Sequence, residues 1–265
     1  MSDYTDQTGR TISIQSPPKR IISLVPSQTE LLYYLDLNKE VIGITKFCKH
    51  PNEWFRTKTR IGGTRMLNME AIHELRPDLI IANKEENVKE QVEELAGKYP
   101  VWISDVNDPA SAYDMITVLG AICGKEDRSM SLINQVKKNF ATLPPLVKSK
   151  DSRSACYLIW RNPYMTIGGD TFIHKMLETA GFDNIYGSAN RYPELSIDEL
   201  RNSNCKYLLL SSEPYPFKQK HIEELQQELP QTTILLVDGE MFSWYGSRML
   251  HAAGYFLQLR KIARL

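Results

Sequence analysis

The chain has 265 residues, of which 42% are hydrophobic and 24% charged, and its formal net charge is zero. These values are typical of a globular protein with room for two lobes, each with its own core. A neutral balance without a dense Lys/Arg block argues against a nucleic-acid or acidic-membrane partner. No apolar run is long enough to cross a bilayer, so we expect no membrane insertion.

The N-terminal stretch MSDYTDQTGR is polar and lacks the apolar core of a signal peptide. The sequence therefore leaves two locations open: cytoplasmic if the chain is complete, and extracytoplasmic if an export signal was removed. The cysteines are widely spaced and form no CxxC pair, which predicts free buried thiols and slightly favours a reducing compartment. They are Cys48, Cys123, Cys156 and Cys205.

The first predicted elements alternate between strand and helix. The strand TISI precedes Pro17-Pro18 and should lie at a sheet edge, because proline cannot donate to a ladder. Ser27 and Glu30 then suggest a capping box at the start of a helix. Further strands are predicted in VIGIT, DLIIAN and VWISDV, and further helices after Asn68 and in ENVKEQVEELAGKY. This alternation indicates a parallel sheet.

Two helical stretches follow, SAYDMITVLGAICG and KEDRSMSLINQVKKNFATL, and the polar LVKSKDSRS predicts a junction. The strands and helices of the first part then recur in ACYLIW, IGGDTFIHKMLETAG, KYLLLSS, KQKHIEELQQEL and TILLVD. We expect an N-terminal α/β lobe at 1–109, a linking helical segment at 110–150 and a C-terminal α/β lobe at 151–265. The C-terminal helix should turn Leu250, Ala253, Leu257 and Ile262 inward.

The stretches LNMEAIHELRPDLIIANK and LSIDELRNSNCKYLLLSS have the same plan. When Leu79–Ile81 is superposed on Leu208–Leu210, Glu70 falls on Glu199. The pattern predicts a duplicated lobe, with an equivalent acid on each copy.

Together with SLVPSQTELL, IGGTRM and AGFDNIYG, these motifs resemble the class III substrate-binding proteins of ABC importers, over roughly residues 6–262. The resemblance is closest to the cobalamin-binding branch, with ferric-siderophore receptors as relatives. It implies an α/β fold with two Rossmann-like lobes joined by a long rigid helix, and a ligand cleft between the lobes. It also implies an extracytoplasmic location.

The function implied is that of a receptor, not an enzyme. It would bind a corrinoid (cobalamin), haem or a ferric siderophore and deliver it unchanged to an import permease, as a monomer without a cofactor or resident metal. The resemblance places permease docking on Glu70 and Glu199. Both acids also have local explanations, since Glu199 completes a capping box with Ser196 and Glu70 lies in a first helical turn.

The candidate ligand-binding residues lie in loops at strand ends, where the resemblance places the ligand. They are Ser27, Gln28, Phe47, Trp54, Trp160, Tyr164, Phe242, Trp244, Tyr245 and Arg248. Aromatic faces suit a broad apolar disc, although each aromatic could equally pack in a core, as we expect for Trp102. Arg161 and Arg248 are the nearest cations for an anionic chelate.

Three other features carry less weight. His50 could ligate a metal axially, and with Glu53 it is the only hint of the alternative function, a cytosolic tetrapyrrole- or metal-handling protein or enzyme on the same fold. The pairs Gly62-Gly63 and Gly168-Gly169 match no nucleotide-binding pattern and indicate tight turns. A protein-interaction module without a small ligand is the third alternative.

Overall fold

The computed structural model describes residues 1–146 and 153–265, so most of the predicted junction lies outside the described residues. The chain forms two compact units. Unit 1 comprises Met1–Val106, Ala110–Lys137 and Tyr245–Arg248, and unit 2 comprises Asn107–Pro109, Lys138–Trp244 and Met249–Leu265. No helix in the described ranges combines the length and apolarity that a membrane crossing needs.

Unit 1 begins with an antiparallel hairpin of β1 (Ser2–Thr5) and β2 (Thr11–Ile14). The edge position of β2 was predicted, whereas β1 was missed. The turn depends on the buried carboxylate of Asp6, which accepts hydrogen bonds from the backbone N–H of Thr8 (2.9 Å) and from the backbone N–H and Nε of Arg10 (both 3.0 Å). Aspartate is favoured in turns for such bonds to nearby backbone.

A five-stranded parallel sheet with the order β5-β4-β3-β6-β7 forms the centre of unit 1. Helices alternate with the strands, as the sequence predicted. In chain order the elements are β3 (Ile21–Ser23), α1 (Pro26–Tyr34), β4 (Val41–Ile44), α2 (Asn52–Thr57), β5 (Thr59–Arg60), α3 (Met69–Leu75), β6 (Leu79–Asn83), α4 (Lys89–Ala96) and β7 (Val101–Ser104).

The linking segment contains the two helical stretches that the sequence predicted, α5 (Pro109–Cys123) and α6 (Glu126–Ala141). It is not one continuous helix. Gly124 lies between them with a φ of +63°, a conformation that glycine adopts without steric cost.

Unit 2 has a four-stranded parallel sheet with the order β10-β8-β12-β13 and a small antiparallel pair, β9 with β11. Its elements in chain order are β8 (Ser154–Leu158), β9 (Tyr164–Met165), α7 (Phe172–Ala180), β10 (Asp183–Asn184), β11 (Glu194–Leu195), α8 (Ile197–Asn202), β12 (Tyr207–Ser211), α9 (Gln219–Glu228), β13 (Thr233–Val237), α10 (Glu240–Ser243) and α11 (Met249–Ala263).

The duplicated plan is confirmed, because β4-β3-β6-β7 and β10-β8-β12-β13 are equivalent orders, but the predicted register was wrong. Equivalent positions in the two separate cores are Leu67 and Leu195, Ile72 and Leu200, Ile80 and Leu208, and Ala82 and Leu210, and the two residues of each set are 128 residues apart in the chain. The helix caps Asn68 and Ser196 have the same spacing. The predicted spacing of 129 would turn each strand side chain to the opposite face. Glu70 therefore corresponds to Asp198, and not to Glu199.

Two local predictions were also wrong. Helix α1 starts at Pro26 with no side-chain cap, because proline at a first helical position needs no N–H partner, so Ser27 and Glu30 form no capping box. Helix α11 buries Ala253 as predicted, but it also buries Phe256, Leu259 and Arg260, and it leaves Leu250 and Leu257 only partly buried and Ile262 66% exposed.

Arg260 explains the error in α11. Its guanidinium donates to the carbonyls of Ala180 (3.0 Å), Thr179 (2.8 Å) and Pro144 (2.7 Å), so a charged residue occupies an inward position that an apolar pattern cannot reveal.

The prediction of free buried thiols is confirmed for all four cysteines. Burial raises the pKa of Cys123 to about 12, so this thiol stays protonated and unreactive at neutral pH.

Candidate functional site

In each unit the parallel strands end at one edge of the sheet, which is where open α/β sheets bind ligands. We call residues 24–28, 45–50, 61–67, 84–88 and 105–106, together with the unit 1 segment Tyr245–Arg248, edge 1. Edge 2 comprises residues 159–163, 212–217 and 238–244.

A buried polar network underlies edge 1. The Ser104 hydroxyl, at the end of β7, accepts hydrogen bonds from the side-chain amides of Gln28 and Asn83 (3.0 Å for Asn83) and donates to the Ala82 carbonyl (3.2 Å). Gln28 is fully buried in the first turn of α1, and its Oε1 has no hydrogen-bond partner among the described residues. The network fixes the ends of β6 and β7 against the start of α1.

The Tyr245 hydroxyl is buried next to the same network. Burial raises its pKa well above the usual value, and the nearby hydroxyls of Ser27 and Ser104 offset part of this effect. The structure thus brings together Ser27, Gln28 and Tyr245, three predicted site residues. All three are buried, so they support edge 1 and present little surface of their own.

Arg248 is paired with a carboxylate. Its Nη2 lies 2.6 Å from Glu30 Oε1 and its Nε 3.2 Å from Glu30 Oε2, a two-point contact with both side chains mostly buried. An anionic ligand could use this cation only by displacing Glu30, which would leave a half-buried carboxylate without its main partner.

The exposed apolar surface of edge 1 comes from Phe47 and Met66, which are 48% and 80% exposed. Met66 lies in a tight turn in which the Gly63 N–H donates to the Met66 carbonyl at 2.8 Å. Gly62 has a φ of +93° there, and an added Cβ would meet the Met66 carbonyl oxygen. The glycine pair thus forms the predicted tight turn, and the sequence reading missed Met66 as a site residue.

Trp54 and Phe242 are core residues in this structure. Trp54 is 1% exposed, with its Nε1 donating to Asn38 Oδ1 at 2.9 Å and its ring 5.3 Å from that of Tyr33. Phe242 is fully buried, and its ring centroid lies 5.1 Å from that of Tyr157 and 5.0 Å from that of Phe256.

Trp160 is the exposed aromatic of edge 2, with 40% of its surface accessible. Its ring lies 5.7 Å from that of Tyr215 in an edge-on arrangement. Hydrogen bonds between Ile159, Trp160 and Met165 close the turn after β8, and Asn162 takes a left-handed φ of +63° within it. Asparagine tolerates that conformation, so the turn holds the indole in place.

The neighbours of Trp160 are more buried. Tyr164 is half-buried and packs against the core of unit 2. Arg161, the other predicted cation, has its Nη2 2.5 Å from Glu224 Oε2. Each of the two predicted cations is therefore paired with a glutamate.

Glu213 is a residue of edge 2 that sequence reasoning missed. Its Oε1 accepts hydrogen bonds from the Trp244 indole Nε1 (2.9 Å) and the Ser243 hydroxyl (2.5 Å). Burial raises the pKa of its carboxyl group, and the nearby Glu240 and Asp238 raise it further. Its place two residues after β12, before Pro214, was an available signal, because loops at strand ends are where candidate ligand-binding residues were expected.

Metal-ligating side chains do not gather in the described ranges, since no group of three or more His, Cys, Asp or Glu residues there could hold an ion. His50 with Glu53 therefore gains no third ligand from the described residues.

A model of the periplasmic binding protein family matches residues 21–233. The chain belongs to the periplasmic binding protein family. Members of this family are extracytoplasmic solute-binding receptors, not enzymes, and each works with a small-molecule ligand and an ABC permease.

Individual relatives are distant. An uncharacterized ABC transporter substrate-binding lipoprotein of Bacillus subtilis is 28% identical over 65% of this chain, and the match spans 57% of that relative. The vitamin B12-binding protein of Salmonella typhi is 22% identical over 88% of this chain and 87% of its own. A periplasmic haem-binding protein from Roseiflexus has 20% identity and a TM-score of 0.74 over 94% of this chain and all of its own, a likeness of fold.

Proposed function

We propose that this periplasmic binding protein is the receptor for a corrinoid or an iron chelate, which it passes unchanged to its permease. The observation that carries the proposal is Trp160, an exposed indole backed by Tyr215 at the carboxyl edge of a parallel sheet. Phe47 and Met66 add exposed apolar surface at edge 1. Corrin and porphyrin rings are broad apolar discs, and rigid side chains of this kind bury them at a small cost in entropy. Relatives that bind vitamin B12 or haem support the same class.

The predicted site residues take different parts in this proposal. Within unit 2, Trp160 and Tyr164 are the proposed ligand contacts at edge 2, and the buried Trp244 supports that edge through its bond to Glu213. Within unit 1, Phe47 and Met66 are the exposed apolar candidates at edge 1. Ser27, Gln28, Tyr245 and Arg248 stabilise the structure of edge 1. Trp54 and Phe242 are core residues that contribute only by stabilising unit 1 and unit 2, respectively.

We further propose that the permease binds an acid at the same helical position in each unit. Glu70 and Asp198 are both second residues of equivalent helices, and both are exposed. The originally predicted partner, Glu199, accepts hydrogen bonds from Ser196 N and Oγ (both 2.7 Å) in its own capping box, which lowers its pKa.

The test of the receptor role is a tryptophan-fluorescence titration with cyanocobalamin, haem and a ferric hydroxamate. We expect saturable quenching by one of them, with affinity about tenfold weaker in Trp160→Ala, since aromatic contacts contribute about 1 kcal/mol beyond the area they bury. Trp102→Phe, which alters a fully buried indole in β7, is the matched control. Failure of all three ligands to bind below about 100 μM, an affinity of roughly 5 kcal/mol, would refute the proposal.

A further inference from the structure

Glu213 has one engaged carboxylate oxygen and one without a partner. Both donors, Trp244 Nε1 and Ser243 Oγ, bond to Oε1. Across the described ranges, no hydrogen bond or ion pair reaches Oε2, and this atom is not among the fully buried polar atoms. The two donors hold the carboxyl group by Oε1, and they thereby fix the direction in which Oε2 presents its lone pairs.

Glu213 lies on the same edge of the unit 2 sheet as the proposed aromatic contact. Glu213 follows β12 at edge 2, two residues before Tyr215, whose ring backs Trp160. The Tyr215 N–H donates to the carbonyl of Ile159, next to Trp160, at 3.3 Å. A Cβ at Gly239 would collide with Glu213 Cγ and with Ser211 Oγ, so the glycine allows the side chain to lie against the start of α10.

The charges around Glu213 have one sign. Asp238 and Glu240 lie close enough to raise its pKa, and the nearest cation of edge 2, Arg161, is paired with Glu224 at 2.5 Å. A ligand with carboxylate or catecholate groups at this point would meet repulsion, whereas one with N–H or O–H groups would meet an acceptor.

We infer that Glu213 is a specificity-determining residue, whose Oε2 accepts a hydrogen bond from an amide, amine or hydroxyl group on the fringe of the ligand and disfavours anionic fringes. This inference rests on the receptor role proposed above. Under this inference the receptor prefers ligands whose rim carries hydrogen-bond donors, such as the amides of a corrinoid, to ligands whose rim carries carboxylate groups.

The test compares two pairs of probes that differ only in rim charge: cyanocobalamin with a derivative in which one side-chain amide is hydrolysed to a carboxylate, and haem dimethyl ester with haem. The wild-type protein should prefer the uncharged member of a pair that it binds. Glu213→Gln keeps an acceptor for Trp244 and Ser243 but replaces the free oxygen by an N–H donor. In this variant the ratio of the affinities for the uncharged and the charged probe should fall about tenfold, because a hydrogen bond to a charged group contributes about 1.5–3 kcal/mol.

Glu240→Gln is the matched control, since it removes an equal charge from the same edge, and circular dichroism with urea unfolding checks that both variants fold. An unchanged preference in Glu213→Gln, or an equal narrowing in Glu240→Gln, would overturn the inference while leaving the receptor role intact. If no probe binds the wild-type protein, the receptor role fails and this inference with it.

Discussion

His221 is the residue whose protonation should most directly affect folding of unit 2. It is 3% exposed, and its Nδ1 accepts a hydrogen bond from the Lys218 N–H at 2.9 Å, at the start of α9. Burial lowers its pKa, and the nearby Arg161 lowers it further. Only the neutral ring can accept this bond at Nδ1, so protonation would remove a helix cap and charge a buried group.

The direction of the pH dependence follows from that depressed pKa. The unfolded chain takes up a proton near pH 6.5, before the folded protein does, so this contribution to stability is complete above about pH 7.5 and is lost as the pH falls towards the folded pKa. In His221→Gln, which keeps a capping side chain, the urea midpoint should fall less steeply between pH 7.5 and 5 than in the wild type. Exposed His251→Gln is the control, and equal slopes for His221→Gln and the wild type would contradict the prediction.

At the scale of single residues, the sequence showed which types of side chain lie near strand ends, but not which of them are exposed. Both Trp160 and Trp54 were predicted as site aromatics, and the sequence could not separate the exposed indole from the buried one, because an indole beside a loop can face either the core or the solvent. Glu213 was missed because a lone acid carries no periodic signal, and its direction is fixed by hydrogen bonds from Ser243 and Trp244 that the sequence does not reveal.

Elements were predictable where local chemistry determines them. The caps Asn68 and Ser196 and the glycine at the end of α7 behave as expected, with Gly181 at a φ of +104°. The error in α11 came from tertiary contacts, because Arg260 is buried by bonds to carbonyls distant in the chain. The error in α1 was local, since Pro26 starts the helix without a side-chain cap.

Alanine substitution at two helical glycines should change the free energy of unfolding in opposite directions. Gly254 is exposed inside α11, and an added Cβ would meet no atom within 4 Å. Gly254→Ala should therefore raise the free energy of unfolding by about 0.5–1 kcal/mol, the usual cost of glycine in a helix interior. Gly120 is buried in α5, where a Cβ would collide with the Ser129 side chain.

Gly120→Ala should accordingly lower stability by about 1–3 kcal/mol, because overpacking forces neighbours out of position. Urea unfolding of both variants measures the contrast. A destabilised Gly254→Ala would show that α11 is constrained at that point by something other than the contacts described here.

For the whole molecule, the duplication could be read from the sequence but its register could not. Strands β6 and β12 are buried along their whole length, so their apolar runs have no alternation from which a register could be read. The buried residues in and before these strands determine the register, because Leu67, Ile72 and Ile80 lie in the core of unit 1 at the same spacing as Leu195, Leu200 and Leu208 in the core of unit 2. The site is harder to predict for the same reason, since its residues come from many loops and its accessible atoms depend on tertiary pairing.

This register changes which acid should bind the permease. Asp198 occupies the position of Glu70, although it also pairs with Arg201, whose Nη2 lies 2.6 Å from Glu228 Oε2. Three isosteric variants, Glu70→Gln, Asp198→Asn and Glu199→Gln, each remove one charge, and Glu199→Gln keeps a capping side chain. Binding to the cognate permease in lipid nanodiscs should weaken severalfold in the first two and stay within about twofold in the third.

The pair Glu70→Gln with Asp198→Asn should weaken binding more than either change alone, because each acid contacts its own half of the permease. Ligand affinity serves as the control and should stay unchanged in all variants, since these acids lie on α3 and α8, outside the segments that form edges 1 and 2. If permease binding weakened only in Glu70→Gln and Glu199→Gln, the permease would instead contact the capping-box acid Glu199, and docking would not follow the internal repeat.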